Sequence, residues 1–385
     1  MPTSQDNNAA RGLLPSGLSD LLDPQAAQDA AAIEAVLASF AQFGYRRVKP
    51  PLMEFEETLL HEGPGAALAA KSFRLMDPVS HRMMALRADM TAQIARISGT
   101  RMAHLPRPLR LAYAGEVMRV VPDVLNPERQ LVQAGAELIG RDDTAAIAEI
   151  LVLGVRALQQ AGIRQLTVDI GVPRLFDLLV EASKTALPEA CARAVRERDA
   201  DALAAMQHPS AKLLVQLVQA GGRDPARLAS LAEALPEKPA SQLRDMLAVA
   251  ARLQEAYPDL PITLDPLEGR GFDYHTGVAF SIFAEGLRGE VARGGAYITG
   301  YDEVASGLSI YMERLLRGLP EPEPAVLVYL PSDIPLSTAL GYAERGRQLV
   351  LGQHPAGSKQ ARAEASQTGC QFIVASIEGT PEALD

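Results

Sequence analysis

The sequence predicts an α+β protein: an antiparallel sheet flanked by helices, interrupted by a helical insertion and followed by a small C-terminal α/β appendix. Three observations carry this. Strand-like runs cluster between Tyr45 and Gly140 and resume at Ile262. Between them, over about 172–258, the chain is rich in Ala, Leu, Arg and Glu with no convincing strand. Past Pro320 a new apolar run, Ala325 to Leu330, opens a third texture. The expected organisation is a disordered tail over 1–12, a core over 13–320 that contains the insertion, and an appendix over 321–385.

Each element has a local reason. Asp23-Pro24 is expected to open a helix, with Asp as N-cap and Pro at the first helical position. Ile33, Val36, Leu37, Phe40 and Phe43 follow at helical spacing, and Gly44 ends the helix. Tyr45 to Val48 is a short strand closed by Pro50-Pro51. Phe73–Met76 and Arg82–Leu86 alternate around Asp77-Pro78 and predict a hairpin, with Met83 and Met84 in the core. Asp89 or Thr91 caps a helix running to about Ile97. Leu109–Tyr113, continued by Glu116–Arg119, pairs through the turn Pro122–Pro127 with Gln130–Gly140. Asp142-Asp143-Thr144 caps a helix bearing Ile147, Ile150, Leu151, Val155 and Leu158 on one side. Leu166–Ile170 is a strand. Within the insertion, Arg193–Arg198 reads as a solvated helix face. Strands follow at Ile262–Leu264 and Val278–Phe283, and Gly294-Gly295 and Gly307 mark close backbone approach. Tyr311–Leu319 reads as a helix. The appendix has a strand at Ala325–Leu330, a helix through Leu340–Leu351 and a strand at Phe372–Ala375.

Composition excludes several classes. The formal net charge of −10 argues against a general nucleic-acid binder, which needs a basic footprint. Cys191 and Cys370 are the only cysteines, without a CxxC or a Cys/His cluster, so no metal site is expected and a reducing, cytoplasmic compartment fits. Met1–Ala10 lacks an apolar signal core, and no apolar run is long enough for a bilayer, so no membrane is expected.

The segment Gln130–Gly140 carries the first functional hint. Strand alternation puts Leu131, Gln133, Gly135 and Glu137 on one face and Val132, Ala134, Ala136 and Leu138 on the other. The second face is wholly apolar. The first holds an amide, a gap and a carboxylate, with arginines available on the neighbouring strand. Acceptors beside a cation suit a zwitterion: Gln133 and Glu137 for an ammonium, Arg119 for a carboxylate. On spacing alone, an ordinary antiparallel sheet with one wet face is the favoured explanation of the pattern.

Four motifs, spread over six stretches, share one family pattern. Tyr45-Arg46-Arg47-Val48-Lys49-Pro50-Pro51-Leu52-Met53-Glu54 is similar to motif 1 of class II aminoacyl-tRNA synthetases, their dimer-interface element. Leu86–Ala92, Tyr113–Arg119 and Gln133–Glu137 resemble the motif 2 region of histidyl-tRNA synthetase. Gly269-Arg270-Gly271-Phe272-Asp273-Tyr274-His275-Thr276-Gly277 resembles the histidine-recognition motif of that enzyme, and Gly307–Leu315 resembles motif 3. Order and spacing hold from about Leu13 to Leu319. The resemblance implies a class II synthetase-like sheet. It also implies an L-histidine site in which Asp89, Thr91, Gln133 and Glu137 hold the α-amino group. Tyr274 and His275, beside Arg270, would read the imidazole, and Arg119 the carboxylate.

Departures from the family narrow the reading. Val121 stands where the synthetase has a glutamate that helps hold ATP, and Tyr311 where motif 3 has a glycine that leaves room for the adenylate. Asp89 replaces a glutamate. Arg293-Gly294-Gly295-Ala296-Tyr297 lacks the usual arginine after its glycines, and the anticodon-binding domain shrinks to 321–385. Histidine features persist while nucleotide features erode. This is similar to the synthetase paralogues that serve as regulatory subunits of ATP phosphoribosyltransferase. The resemblance then implies no catalytic residue and no cofactor on this chain. It implies a homodimer through motif 1 and a hetero-octamer with the short-form catalytic subunit. The retained arginines Arg119, Arg270 and Arg314 keep two alternatives open: an active histidyl-tRNA synthetase, or a tRNA-independent amino-acid-activating ligase.

Overall fold

The computed structural model describes residues 13–122, 127–183, 188–208, 210–323, 325–375 and 381–384. The expected tail over 1–12 and most of the turn after Pro122 lie outside the described residues. The chain divides into two compact units, with the boundary between Pro320 and Glu321.

The first unit supplies β1 (Arg46–Arg47), β2 (Met53–Phe55), β3 (Arg74–Met76), β4 (Met83–Leu86), β5 (Leu109–Met118), β6 (Gln130–Ile139), β7 (Leu166–Gly171), β8 (Ile262–Asp265), β9 (His275–Ala284), β10 (Ala292–Ile298) and β11 (Val304–Tyr311). Among the described residues these form an eight-stranded sheet, β1-β5-β6-β11-β10-β9-β7-β8, and a three-stranded sheet, β2-β4-β3. The large sheet is antiparallel through its centre, but β1 runs parallel to β5 and β7 parallel to β8. Between β7 and β8 the chain is helical, with an isolated bridge at Gly222 as its only described β contact with the sheet.

The sheet is buried on both faces. Helices Gln25–Gln42, Thr144–Gln160 and Glu237–Ala256 cover one, where Ala134, Ala136 and Leu138 join the main apolar core. Asp143 starts the second of these helices, its carboxylate accepting from the N–H groups of Ala145 and Ala146. A second cluster, including Met90, Leu111, Tyr113, Leu131 and Tyr297, fills the opposite face.

Several expectations are corrected. The first helix begins at Gln25 with Pro24 at the N-cap and no side-chain cap, so Asp23 lies one residue too early to reach the free N–H groups. Gly44 follows the helix end at φ +80°, the left-handed conformation that favours glycine there. The strands β10 and β11 are absent from the sequence reading because Gly294, Gly295 and Gly307 weaken a strand pattern. Tyr311 ends β11, and the helix begins at Met312. Met83 is 40% exposed, because β4 belongs to the small outer sheet.

The second unit forms a four-stranded sheet, β13-β12-β14-β15, from β12 (Leu327–Leu330), β13 (Gln348–Leu351), β14 (Phe372–Val374) and β15 (Pro381–Ala383). The stretch read as one helix through Leu351 is a helix, Leu336–Glu344, followed by β13. Gly346 at φ +74° turns the chain between them. Among the described residues no helix is long and apolar enough to cross a membrane.

Candidate ligand-binding site

The second face of the sheet holds a cavity of ≈ 290 Å³ lined from β6, β9, β10 and β11. That is close to the lower end, about 300 Å³, of small-molecule sites. Asp89, Thr91, Arg119, Glu137, Tyr274 and His275 all line it. The cavity therefore combines acids and bases, the carboxyl groups of Asp89, Glu137, Asp273 and Glu290 with the cationic side chains of Lys71, Arg119 and Arg293.

The carboxylate side is built by cross-strand register. Tyr113, Gly135 and Ser309 lie side by side on β5, β6 and β11, and Leu111, Glu137 and Gly307 form the adjacent row. Glu137 is 1% exposed. Its carboxylate lies over Gly307, where any Cβ would collide with it. It accepts from the hydroxyls of Tyr297 at 2.8 Å and Tyr113 at 3.2 Å. Burial outweighs these hydrogen bonds and pushes its pKa up to about 8, with Asp89 adding like-charge repulsion. A buried carboxylate so placed favours a cationic ligand group.

Gln133 does not line the cavity. Its NH2 donates to Asp89 at 2.8 Å and to Ser309 at 2.6 Å, while its carbonyl accepts from the Met90 N–H at 2.8 Å. The amide therefore holds Asp89 in place. Asp89 also accepts from the Thr91 N–H at 2.7 Å, in the turn that starts helix Thr91–Gly99. Gln133 and Glu137 are both buried, which removes the wet-face alternative.

The aromatic side is a stack. Tyr274 lies on His275 with ring centres 4.5 Å apart, and Phe272 and Tyr297 meet the pair edge-on. Burial, then the nearby Arg293 charge, push the His275 pKa down to about 3, so its imidazole is neutral. His275 Nδ1 and Arg293 Nε are buried without hydrogen-bond partners among the described residues. Both side chains line the cavity, so a polar ligand has groups there to satisfy.

Arg270 is not brought to this cavity. Its guanidinium grips both oxygens of Glu268 at 3.2 and 3.0 Å, and its side chain is 76% exposed. The arginine that reaches the cavity besides Arg119 is Arg293, whose guanidinium lies 4.3 Å from the centre of the Phe272 ring. The sequence offered one signal for it, an arginine just before a glycine pair. Tyr113, Ser309 and Tyr297 were missed because their roles depend on register between distant strands.

Tyr311 is 8% exposed and also lines the cavity. Its ring faces the guanidinium groups of Arg314 at 5.0 Å and Arg119 at 5.9 Å, and its hydroxyl bonds Arg293. Arg314 is tied in turn to the backbone carbonyl of Glu290 at 2.6 Å. Among the described residues no group of three or more His, Cys, Asp or Glu side chains could hold a metal.

The family described as histidyl-tRNA synthetase matches residues 17–315. An ATP phosphoribosyltransferase regulatory subunit from Paramagnetospirillum magneticum is 43% identical over 370 residues, covering 94% of this chain and 96% of the relative. One from Rhodospirillum centenum is also 43% identical, over 96% of each chain. Among solved structures, an ATP phosphoribosyltransferase regulatory subunit/histidyl-tRNA synthetase from Bacillus halodurans C has a TM-score of 0.78 at 23% identity, covering 92% of this chain and 96% of that one. A chain of the ATP phosphoribosyl transferase (HisG:HisZ) complex from Thermotoga maritima has a TM-score of 0.58 at 19% identity, covering 74% of this chain and 97% of that one. At these identities the structures establish the fold. With near-complete coverage of relatives at 43% identity, the chain belongs to the ATP phosphoribosyltransferase regulatory subunits, a branch of the histidyl-tRNA synthetase family.

Proposed function

We propose that this chain is the non-catalytic regulatory subunit of ATP phosphoribosyltransferase and that it binds L-histidine in the cavity. The reaction, carried by a short-form catalytic partner, joins ATP and phosphoribosyl pyrophosphate into phosphoribosyl-ATP and pyrophosphate, the first step of histidine biosynthesis. One observation carries the reading: a cavity with both charge signs adjoins a tyrosine, Tyr311, in the position where a synthetase keeps a glycine for its nucleotide. Asp89 and Glu137 take the ammonium, Arg119 and Arg293 the carboxylate, and Tyr274 and His275 the imidazole.

Feedback needs histidine to bind one state of the assembly better than another. The coupling is reciprocal and typically about 1–3 kcal/mol. The reading includes a homodimer through the stretch 45–54 and a hetero-octamer with the catalytic subunit. It also includes a cytoplasmic location, supported by the free thiols of Cys191 and Cys370. The alternative of amino-acid activation is weakened because Arg119 and Arg314, the arginines that would serve ATP, face Tyr311.

The test mixes the chain with the short-form catalytic subunit. Activity should rise on mixing and fall with added histidine. Calorimetry of the chain alone should give heat with histidine and none with ATP. Histidine-dependent ATP–pyrophosphate exchange would instead establish a synthetase.

A further inference from the structure

A run of hydrogen bonds crosses three strands beside the cavity and joins the carboxyl groups of Asp89 and Glu137. Gln133 on β6 donates to Asp89 with one N–H and to the Ser309 hydroxyl on β11 with the other. Ser309 Oγ is 3.2 Å from the Tyr113 hydroxyl of β5, which is 3.2 Å from Glu137 Oε1. One order of donors holds for the ionised form of Glu137, which has no proton to give: Tyr113 donates to it and accepts from Ser309, and Ser309 accepts from Gln133. Gly135 makes the run possible. A Cβ there would collide with the Tyr113 phenol, so the gap in β6 is the lane through which Tyr113 reaches Ser309. Tyr113 is fully buried, so water cannot readily replace its hydroxyl, whereas Ser309 also lines the cavity.

We propose that Ser309 and Tyr113 are positioning residues: the run Gln133–Ser309–Tyr113–Glu137 aims a donor at Glu137 and holds it, with Asp89, in the arrangement that grips the ligand's cationic group. This rests on the histidine reading for the ligand's identity, but the run itself does not depend on it. The other groups facing Glu137 are Asp89 and Thr91 from the segment opening helix Thr91–Gly99, Tyr297 from β10, and Tyr274. His275 and Arg293 line the same cavity. Without Ser309 the Tyr113 hydroxyl keeps only the Thr91 side chain as a partner beside Glu137, and its link to Gln133 is cut. Without the Tyr113 hydroxyl, Glu137 loses a donor to its charged form, which favours protonation.

The test uses the full chain and two readouts. Infrared difference spectroscopy, with E137Q as the blank, follows protonation of the Glu137 carboxyl in the absence of ligand. Calorimetry follows L-histidine. Ser309→Ala and Tyr113→Phe should each raise the Glu137 midpoint by about one pH unit and weaken histidine about tenfold at neutral pH. Ser309→Thr, which keeps the hydroxyl, should restore both. An unmoved midpoint in both S309A and Y113F, with histidine bound normally, overturns the positioning role and leaves the histidine reading intact. A midpoint that moves in a protein that binds no histidine supports the positioning role and removes histidine as the ligand.

Discussion

The guanidinium of Arg119 lies 5.9 Å from the centre of the Tyr311 ring, on a side chain that Arg314 also faces at 5.0 Å. Both arginines survive from the family pattern. Both face an aromatic ring of the protein itself, and Arg314 is also tied to Glu290. Retained arginines are thus consistent with lost activation chemistry.

Removing the ring should reopen that space. Tyr311→Gly is expected to gain measurable ATP binding by calorimetry, where the parent gives no heat, while histidine affinity falls less than about tenfold. A Tyr311→Gly protein that still ignores ATP would show that something besides this ring blocks the nucleotide.

Histidine affinity should depend on pH through Glu137. Its pKa, about 8 in the empty site, means that below this pH the carboxyl must lose a proton before it can hold an ammonium. Affinity should therefore rise by up to about tenfold per pH unit towards 8 and flatten above it, measured from about pH 6.5 so that the ligand's imidazole is neutral. His275, at about 3, adds no step in this range. Proton release on binding, read as heats that differ between buffers, checks the sign.

The same group sets a stability slope. Its folded pKa of about 8 stands above its ordinary value of 4.5, so folding takes up a proton between them. The stability it contributes is present below the lower value and lost as pH rises through the higher one. Denaturant midpoints of the empty protein should fall over that interval, and Glu137→Gln should flatten the fall.

Arg270→Ala should leave histidine affinity within about twofold of the parent, because this side chain is 76% exposed and paired with Glu268. Arg293→Ala should cost at least about tenfold. Equal losses from both would mean that Arg270 swings into the cavity when ligand binds.

Asp143→Ala removes the cap of helix Thr144–Gln160, whose buried face includes Ile150, Leu151 and Val155. It should destabilise the fold by about 1 kcal/mol without changing histidine affinity. Chemical denaturation and calorimetry separate the two effects.

What was legible in the sequence was local. The two faces of Gln130–Gly140 follow from strand alternation, and Asp143 and Gly44 mark their helix ends by conformational chemistry. What depended on distant pairing was not. Strands β10 and β11 sit in the middle of the sheet yet carry the glycines that blur a strand pattern. Tyr113 and Ser309 meet across 196 positions, and only register brings them together. Arg270 illustrates a different limit: resemblance places a residue along the chain, whereas the direction of an exposed loop side chain is decided by a neighbour such as Glu268.

The cluster of Met90, Leu111, Tyr113 and Tyr297 beneath the cavity has one more consequence. On the proposed function, an amino acid entering there would complete an interior that the polypeptide leaves unfinished, like a side chain supplied from solution. A hundredfold excess over its dissociation constant would add about 2.7 kcal/mol to the fold. Melting temperature should therefore climb with the metabolite's concentration, so that thermal resistance itself becomes a gauge of supply.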